Sequence, residues 1–388
     1  KGVPAGGGTG YANFATSDIL AWATSNFNNL NKLTLNMEQG SRLFIAQNVT
    51  MDLSGTNPSN LLSALPAGLV TGSNDYKTFM LYLSELKLNQ DINLDDPTDA
   101  YNKLEISNST IENNSSKTIT GTSAGQVAMA QENDVTLDRT KVKLINNGTI
   151  NLSGANSTAI YGKFAEIANK PTGTISVGDG SAALYGTTDS KIENEGTINL
   201  GSNSVGIFSK GDTAAGYTVG ANTYKGSVVN SGTITSTGKV TVNGIALSDA
   251  DGSVGLASID GANITQTNSD TNIIVDGSAS IGAYADGGTG SIASTKLTVN
   301  GGTITAKGGA FNIYAGNKAT VTLNGANLNT EQKSLAFYTT NNGKVDFGTG
   351  STKTIATIKG GTDSNSRGTA FLFKASGAGY STFDKTAI

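Results

Sequence analysis

The chain has 388 residues, with 30 acidic and 26 basic side chains giving a net charge of −4, 50 glycines, 5 prolines, one tryptophan, and neither cysteine nor histidine. That composition excludes disulfides, thiol nucleophiles, zinc sites of histidine/cysteine type and any Ser-His-Asp triad. It leaves no basic footprint for nucleic acid or an anionic membrane, and with 14% charged residues it does not favour disorder driven by charge repulsion.

In chain order, Ser17-Asp18 followed by Ile19, Leu20, Trp22, Ala23, Phe27 and Leu30 predicts an N-capped amphipathic helix. Leu33-Thr34-Leu35 and Val49-Thr50-Met51-Asp52-Leu53 read as strands. A bulkier segment from Asn57 to Leu88 follows, with Pro58, Leu61, Leu62, Leu65, Pro66 and the cluster Phe79-Met80-Leu81-Tyr82-Leu83. Residues 1–100 are therefore expected to form a mixed α/β cap, with a separate ligand-binding module as the alternative.

Beyond them the chain repeats itself. Asn-x-Gly-Thr-Ile occurs at Asn146–Ile150, Asn194–Ile198, Asn230–Ile234 and Asn300–Ile304, with looser copies ending at Ile111, Ile175, Ile264 and Leu328. About ten residues later most copies are followed by a small-apolar-aromatic triplet, as in Ala159-Ile160-Tyr161, Ala183-Leu184-Tyr185, Gly206-Ile207-Phe208, Gly282-Ala283-Tyr284, Asn312-Ile313-Tyr314 and Ala336-Phe337-Tyr338. Gly244-Ile245-Ala246 reads as a copy without its aromatic. The shortest spacings are 25 residues (Ile150 to Ile175), 23 (Ile175 to Ile198) and 24 (Ile304 to Leu328). Inside each copy the apolar residues alternate, which is the strand period. Short strands in such a unit bury a face only when units stack, so residues 101–388 predict an all-β fold, a right-handed parallel β-helix (solenoid), with the N-terminal mixed α/β capping region covering its open edge. About ten rungs at ~4.8 Å would make a rod on the order of 50 Å long. Loops are expected to be inserted at about 209–226 and 248–258.

Two rows of aligned side chains follow from the repeat. Asn146, Asn194, Asn230, Asn300 and Asn324, with Asp260 in the same slot, predict a structural asparagine ladder along a turn. Tyr161, Tyr185, Phe208, Tyr284, Tyr314 and Tyr338 fall on the outer face, where they either stack on one another or offer a stripe to sugars or a protein partner. Together with Trp22, Tyr76 and Tyr82 of the cap and Tyr217 and Tyr224 of the first inserted loop, these tyrosines are the candidate binding residues. Asp91, Asp95, Asp96 and Asp99 form the one dense acidic cluster, to be read as a solvated turn or, as a minor alternative, as carboxylates of a carbohydrate-active β-helix enzyme. Gly287–Ser291 and Asp249–Gly252 hold fragments of calcium loops without the ligand set. Lys210-Gly211-Asp212 resembles an integrin-recognition tripeptide, a match too short to carry weight. No catalytic residue, metal or cofactor is expected.

The Asn-x-Gly-Thr-Ile and Gly-Ile-Phe or Ala-Ile-Tyr motifs resemble those of the passenger rods of type V (classical) autotransporter adhesins, and are most similar to the large outer-membrane adhesins of fusobacteria. The resemblance covers roughly Leu104 to Ile388 and rests on scaffold motifs. It implies a monomeric rod on the surface of a Gram-negative bacterium, held to the outer membrane by a C-terminal barrel outside this sequence. The partners it implies are host-cell proteins or glycans and other bacteria. A spacer rod with binding elsewhere in a longer chain is the second expectation; no apolar run is long enough for a membrane helix, and with no signal peptide the chain is expected to be a mature or excised segment.

Overall fold

The computed structural model describes residues 12–14, 21, 25–54, 66–73, 75–211, 216–236, 239–242, 245–249, 252–267, 271–288, 295–331, 333–360 and 367–371. The chain winds as a parallel β-helix. One coil runs through strands Lys143–Asn146, Thr149–Leu152 and Thr158–Lys163. The next, Glu166–Asn169, Thr174–Val177 and Ala182–Thr187, lies on it strand for strand. Repetition builds three parallel sheets of 12, 10 and 9 strands among the described residues, called here the first, second and third sheets.

Alternation decides which side chains enter the core. In Thr149-Ile150-Asn151-Leu152, Ile150 and Leu152 are fully buried while Thr149 and Asn151 face out. Parallel register then stacks Ile150 on Ile175, Ile198 and Ile234, so each β-branched side chain packs on a copy of itself one rung away. The corner between the first and second sheets needs glycine for room. A Cβ on Gly196 would lie 2.2 Å from the Gly173 carbonyl oxygen and 2.5 Å from that of Lys170. At the corner leaving the third sheet, and at the equivalent corner of a three-stranded parallel sheet in the N-terminal coils (Arg42–Gln47, Lys77–Tyr82 and Leu104–Ser107), the chain turns through a left-handed residue: Asp260 and Asn317 in the first case, Asn48 and Asn108 in the second, with φ between 46° and 55°. Asparagine and aspartate tolerate this conformation. Leu83 and Phe164 take the same position after their strands at φ 47° and 49°, Phe164 with its ring fully buried.

Two internal hydrogen-bonded chains tie the coils together. In the first sheet the buried amides of Asn113, Asn146, Asn169 and Asn194 each donate Nδ2–H to the Oδ1 of the next, at 2.7 to 2.8 Å, ending on buried Asn230. Asn146, Asn194 and Asn230 are thus in one ladder, to which Asn113 and Asn169 also belong. Asn300 and Asn324 are not in it. They pair with Thr267 one residue further along the strand, in half-buried positions, and form their own bond at 2.7 Å. The interior slot has passed meanwhile to Gln266 and Val299. Asp260 is a corner residue paired with Lys210 at 3.5 Å. Asn300 and Asn324 are displaced because their corner is one residue longer: Val299 and Leu323 take the interior slot, while Ile304 and Leu328 stay in register with Ile234 through Ile273; Asp260 falls outside because Ile264 belongs to the first sheet, not the second. The second chain is of serines at the entrance to the third sheet. The amides of Ser157, Ser181, Ser204 and Ser253 donate to the hydroxyls of Ser181, Ser204, Ser253 and Ser280, at 3.0 to 3.3 Å.

Three sequence-based boundaries move. Parallel pairing begins before residue 101: Val49–Asp52 pairs with Glu85–Leu88, which pairs with Thr110–Asn113, so the first sheet runs across residue 100, whereas Arg42–Gln47, Lys77–Tyr82 and Leu104–Ser107 form a three-stranded sheet of their own before the third sheet starts at Val127. Larger core residues such as Phe79 and Leu81 fill these coils without the Asn-Gly corners that mark the later ones. The expected helix lies mostly outside the described residues, as does Trp22. Its described residues Ala21, Ser25 and Asn26 are helical, and a short 3-10 turn, Leu30–Lys32, follows an exposed Phe27. The second insertion is an antiparallel hairpin, Lys239–Val242 with Ile245–Asp249, so it precedes the expected span of 248–258. Val254–Ile259 is a third-sheet strand in register with Val205–Lys210, and Gly255-Leu256-Ala257, not Gly244-Ile245-Ala246, is the copy that lacks an aromatic.

Candidate functional site

The first inserted loop folds as a hairpin, Tyr217–Val219 against Asn222–Tyr224. Its two tyrosines point into the rod. Tyr224 is 8% exposed, donates its hydroxyl to Asp138 at 2.7 Å, and lies under the Arg139 guanidinium, whose carbon is 4.9 Å from the ring centre. Tyr217 and Tyr224 both meet the buried Phe164 edge-on, at 5.3 and 5.8 Å. Arg139 also donates to the Asp189 and Lys225 carbonyls. Burial pushes its pKa down, and the surrounding Glu166, Tyr224, Asp189 and Asp138 oppose that. Burial likewise raises Asp138, but bonds from Tyr224 and Thr140 outweigh it and hold this carboxyl below its usual range. Tyr224 is therefore a structural anchor, and the tip at Gly220 is what the hairpin presents. The expected Lys210–Asp212 loop is not one as far as it is described, since Lys210 ends a core strand.

The aromatic row is present on the third sheet. Tyr161, Tyr185 and Phe208 form one stack, with centres 5.7 and 4.5 Å apart, and Tyr284, Tyr314 and Tyr338 another, at 4.7 and 5.6 Å. All six are half-buried. Because the rings stack along the rod axis, their faces are used on one another and their edges meet solvent. A sugar laid flat on the row finds no ring face within either stack. Burial raises the pKa of Tyr161, Tyr284 and Tyr314, which keeps their hydroxyls protonated; that of Tyr284 donates to Asp286 at 3.1 Å.

A polar cleft lies in the N-terminal coils. Two adjoining hollows of about 210 and 220 Å³ share Lys77 and Asn102. The first is also lined by Tyr76, Asp75, Asp95 and Lys103, the second by Tyr101. Strand Lys77–Tyr82 and the 3-10 turn Tyr101–Lys103 position them. Lys77 Nζ donates to the Asn102 carbonyl at 2.8 Å, and Tyr101 donates to the Ala128 carbonyl at 2.7 Å. Partial burial raises Tyr76. Tyr82 faces outward on the same strand and does not line either hollow. Each hollow is smaller than a drug-sized site of roughly 300 Å³ or more; a monosaccharide unit or a short side chain is the scale that fits.

The acidic cluster is a set of turns. Asp95 accepts from the amides and hydroxyls of Thr122 and Ser123 and from Gln126, which leaves its pKa lowered to about 2, the Ser123 hydroxyl bond being the largest cause. Asp96 accepts from Thr98, Asp99 from the Asn93 and Tyr101 amides, and Asp91 from the Thr118 amide. Among the described residues there is no grouping of three or more metal-ligating side chains and no helix long and apolar enough to cross a membrane. No family model, no curated protein and no solved structure matches the chain.

Sequence reasoning missed the N-terminal cleft, because Lys77, Asn102 and Lys103 belong to no repeat. It also missed the serine chain, whose signal was on view as Ser-x-(Ala/Gly)-apolar-aromatic at Ser157, Ser181, Ser204 and Ser280.

Proposed function

We propose that this chain is a stretch of a cell-surface adhesin of the autotransporter kind, a rod that carries recognition surfaces away from the cell. The observation that supports it best is the placement of polar, ligand-sized concavity. Among the described residues it is found beside Tyr76 and Lys77, on the flank of the N-terminal coils, whereas Tyr161, Tyr185, Phe208 and Tyr224 of the later coils are engaged with other side chains. A lysine, an amide and a tyrosine edge around a shallow hollow suit hydrogen bonding to a glycan or a surface loop of a partner, with many copies offsetting weak single contacts.

Beads coated with the chain should bind host cells or partner bacteria saturably, and Tyr76→Ala with Lys77→Ala should abolish that binding while leaving the circular dichroism spectrum unchanged. Full binding by the double variant would move recognition off the cleft. A folded chain that binds no cell would favour the spacer rod, a reading that the internal use of Tyr224 and of the aspartates also supports.

A further inference from the structure

The side of the rod that carries the third sheet is split in the N-terminal coils. Leu104–Ser107 leads into a first-sheet strand just as Val127–Glu132 does one coil later, yet the two do not pair. Each is the edge strand of its own sheet. Side chains bridge the seam instead. Tyr101 donates its hydroxyl to the Ala128 carbonyl at 2.7 Å, and Gln131 donates Nε2–H to the Ile106 carbonyl at 3.0 Å. The Oε1 of Gln131 accepts the Ser109 amide at 3.1 Å. The hollow of about 220 Å³ lies at this seam, with residues of both edge strands in its wall.

Its chemistry is lopsided. Leu104, Ile106, Val127 and Ala130 give it an apolar wall, and Val127 is left 44% exposed. Ala130 is exposed as well. The polar groups around it are largely committed. The Tyr101 hydroxyl is taken by Ala128. Asn102 donates Nδ2–H to the Asn93 and Asp96 carbonyls at 3.1 and 2.8 Å, and its own carbonyl accepts Lys77 Nζ at 2.8 Å. An ammonium carries three donors, so Lys77 still has N–H to offer. A sugar would press several hydroxyls against this wall, at a cost for each one left without a partner. One acceptor beside a branched hydrocarbon suits the hollow better, and a peptide unit with an aliphatic side chain has that form.

We propose that the hollow between Leu104–Ser107 and Val127–Glu132 seats one aliphatic side chain of a protein partner, with that residue's carbonyl on Lys77 Nζ. The proposal rests on the reading of the N-terminal cleft as a recognition surface, and it narrows the ligand there from glycan or protein to protein.

The test uses the full chain and ligand-observed NMR with N-acetyl-leucine methylamide as the probe. N-acetylglycine methylamide is the control for the side chain, and methyl galactoside is the sugar. The leucine derivative should broaden saturably at concentrations on the order of millimolar, and the glycine derivative should not. Ala130→Leu fills the hollow from an exposed position and should abolish binding with the circular dichroism spectrum unchanged. Lys77→Met keeps the stem, removes the donor and should weaken binding about tenfold. Undiminished binding by Ala130→Leu would place the probe elsewhere and overturn the proposal, as would equal binding of the glycine derivative. Saturation by galactoside and not by the leucine derivative, lost in Ala130→Leu, would overturn the protein assignment and leave the cleft reading standing. If neither ligand binds, the proposal fails, and the cleft reading is decided apart from it by cell binding of the Tyr76→Ala, Lys77→Ala double variant.

Discussion

Tyr224 donates its hydroxyl to Asp138, 86 residues earlier in the chain, at 2.7 Å. Since Arg139 beside it reaches the Lys225 carbonyl at 3.0 Å, the hairpin is stapled to a corner several coils away at two adjacent points. Tyr224→Phe keeps the ring under Arg139 and against Phe164 but removes the bond. The expected outcome is a stable rod whose amides in 217–224 exchange severalfold faster, read by hydrogen–deuterium exchange. Unaltered protection there would mean that packing alone holds the hairpin.

The asparagine ladder has a middle and an end, and they should respond differently. Asn169→Leu strands the Asn146 amide donor and the Asn194 acceptor inside the core, at a cost of about 1–3 kcal/mol for each buried group left without a partner. Asn113 already has a buried Oδ1 without a hydrogen bond, so Asn113→Leu strands a partner's acceptor but removes an unsatisfied one. Urea unfolding should rank Asn169→Leu well below Asn113→Leu. Equal loss would show that the amides act singly, not as a chain.

Glycines at the two kinds of turn separate room from conformation. Gly196→Ala drives a methyl into two carbonyl oxygens of the preceding coil and should destabilise by about 2 kcal/mol or more. Gly220, at the hairpin tip with φ 61°, has nothing within 4 Å of such a methyl. Gly220→Ala should cost only the left-handed strain, about 1 kcal/mol. Calorimetry on both variants decides it.

Asp95 gives the rod a pH dependence at low pH. Its folded pKa is lowered to about 2, against roughly 3.9 for the unfolded chain. Its contribution is therefore fully present above the unfolded value and is lost as pH falls through the folded one, between about pH 4 and 2. Because the carboxylate is mostly solvent-exposed, screening limits the effect to less than ~1 kcal/mol. Exchange of the Thr122 and Ser123 amides, corrected for the intrinsic rate, should accelerate across that window, and Asp95→Asn should flatten the profile. A profile that Asp95→Asn leaves intact would assign the transition to another group.

Much of the scaffold was legible because it depends on local rules repeated many times. Asn-x-Gly-Thr-Ile encodes a ladder amide, a corner with no room for a side chain and a pair of alternating strand residues, so its recurrence announced stacked coils. What the motif could not encode was the length of the corner, and so Asn300 and Asn324 fall with Asn146 in the repeat although their corner is one residue longer and Val299 and Leu323 take the interior slot. Nor does the sequence say that Tyr224 turns inward, since that depends on Asp138 and Arg139 arriving from a distant corner. Tyr76 was singled out as an aromatic of the cap, but the lysines and the amide that make its surroundings a cleft come together only through the winding of the first coils.

Apart from the bonds of Asp138 and Arg139 to residues 189, 224 and 225, the ladders and sheets join each coil only to its neighbours, and Ile150 and Ile175, one full turn apart, are separated by 25 residues. Tension applied along the rod would thus be borne by one inter-coil seam at a time, because no bond in the asparagine or serine chains spans more than a single rung. Each seam that yields frees about 80–90 Å of extended chain while its neighbours stay closed. Under load the molecule would behave as a series of fuses, lengthening stepwise and keeping whatever it holds attached.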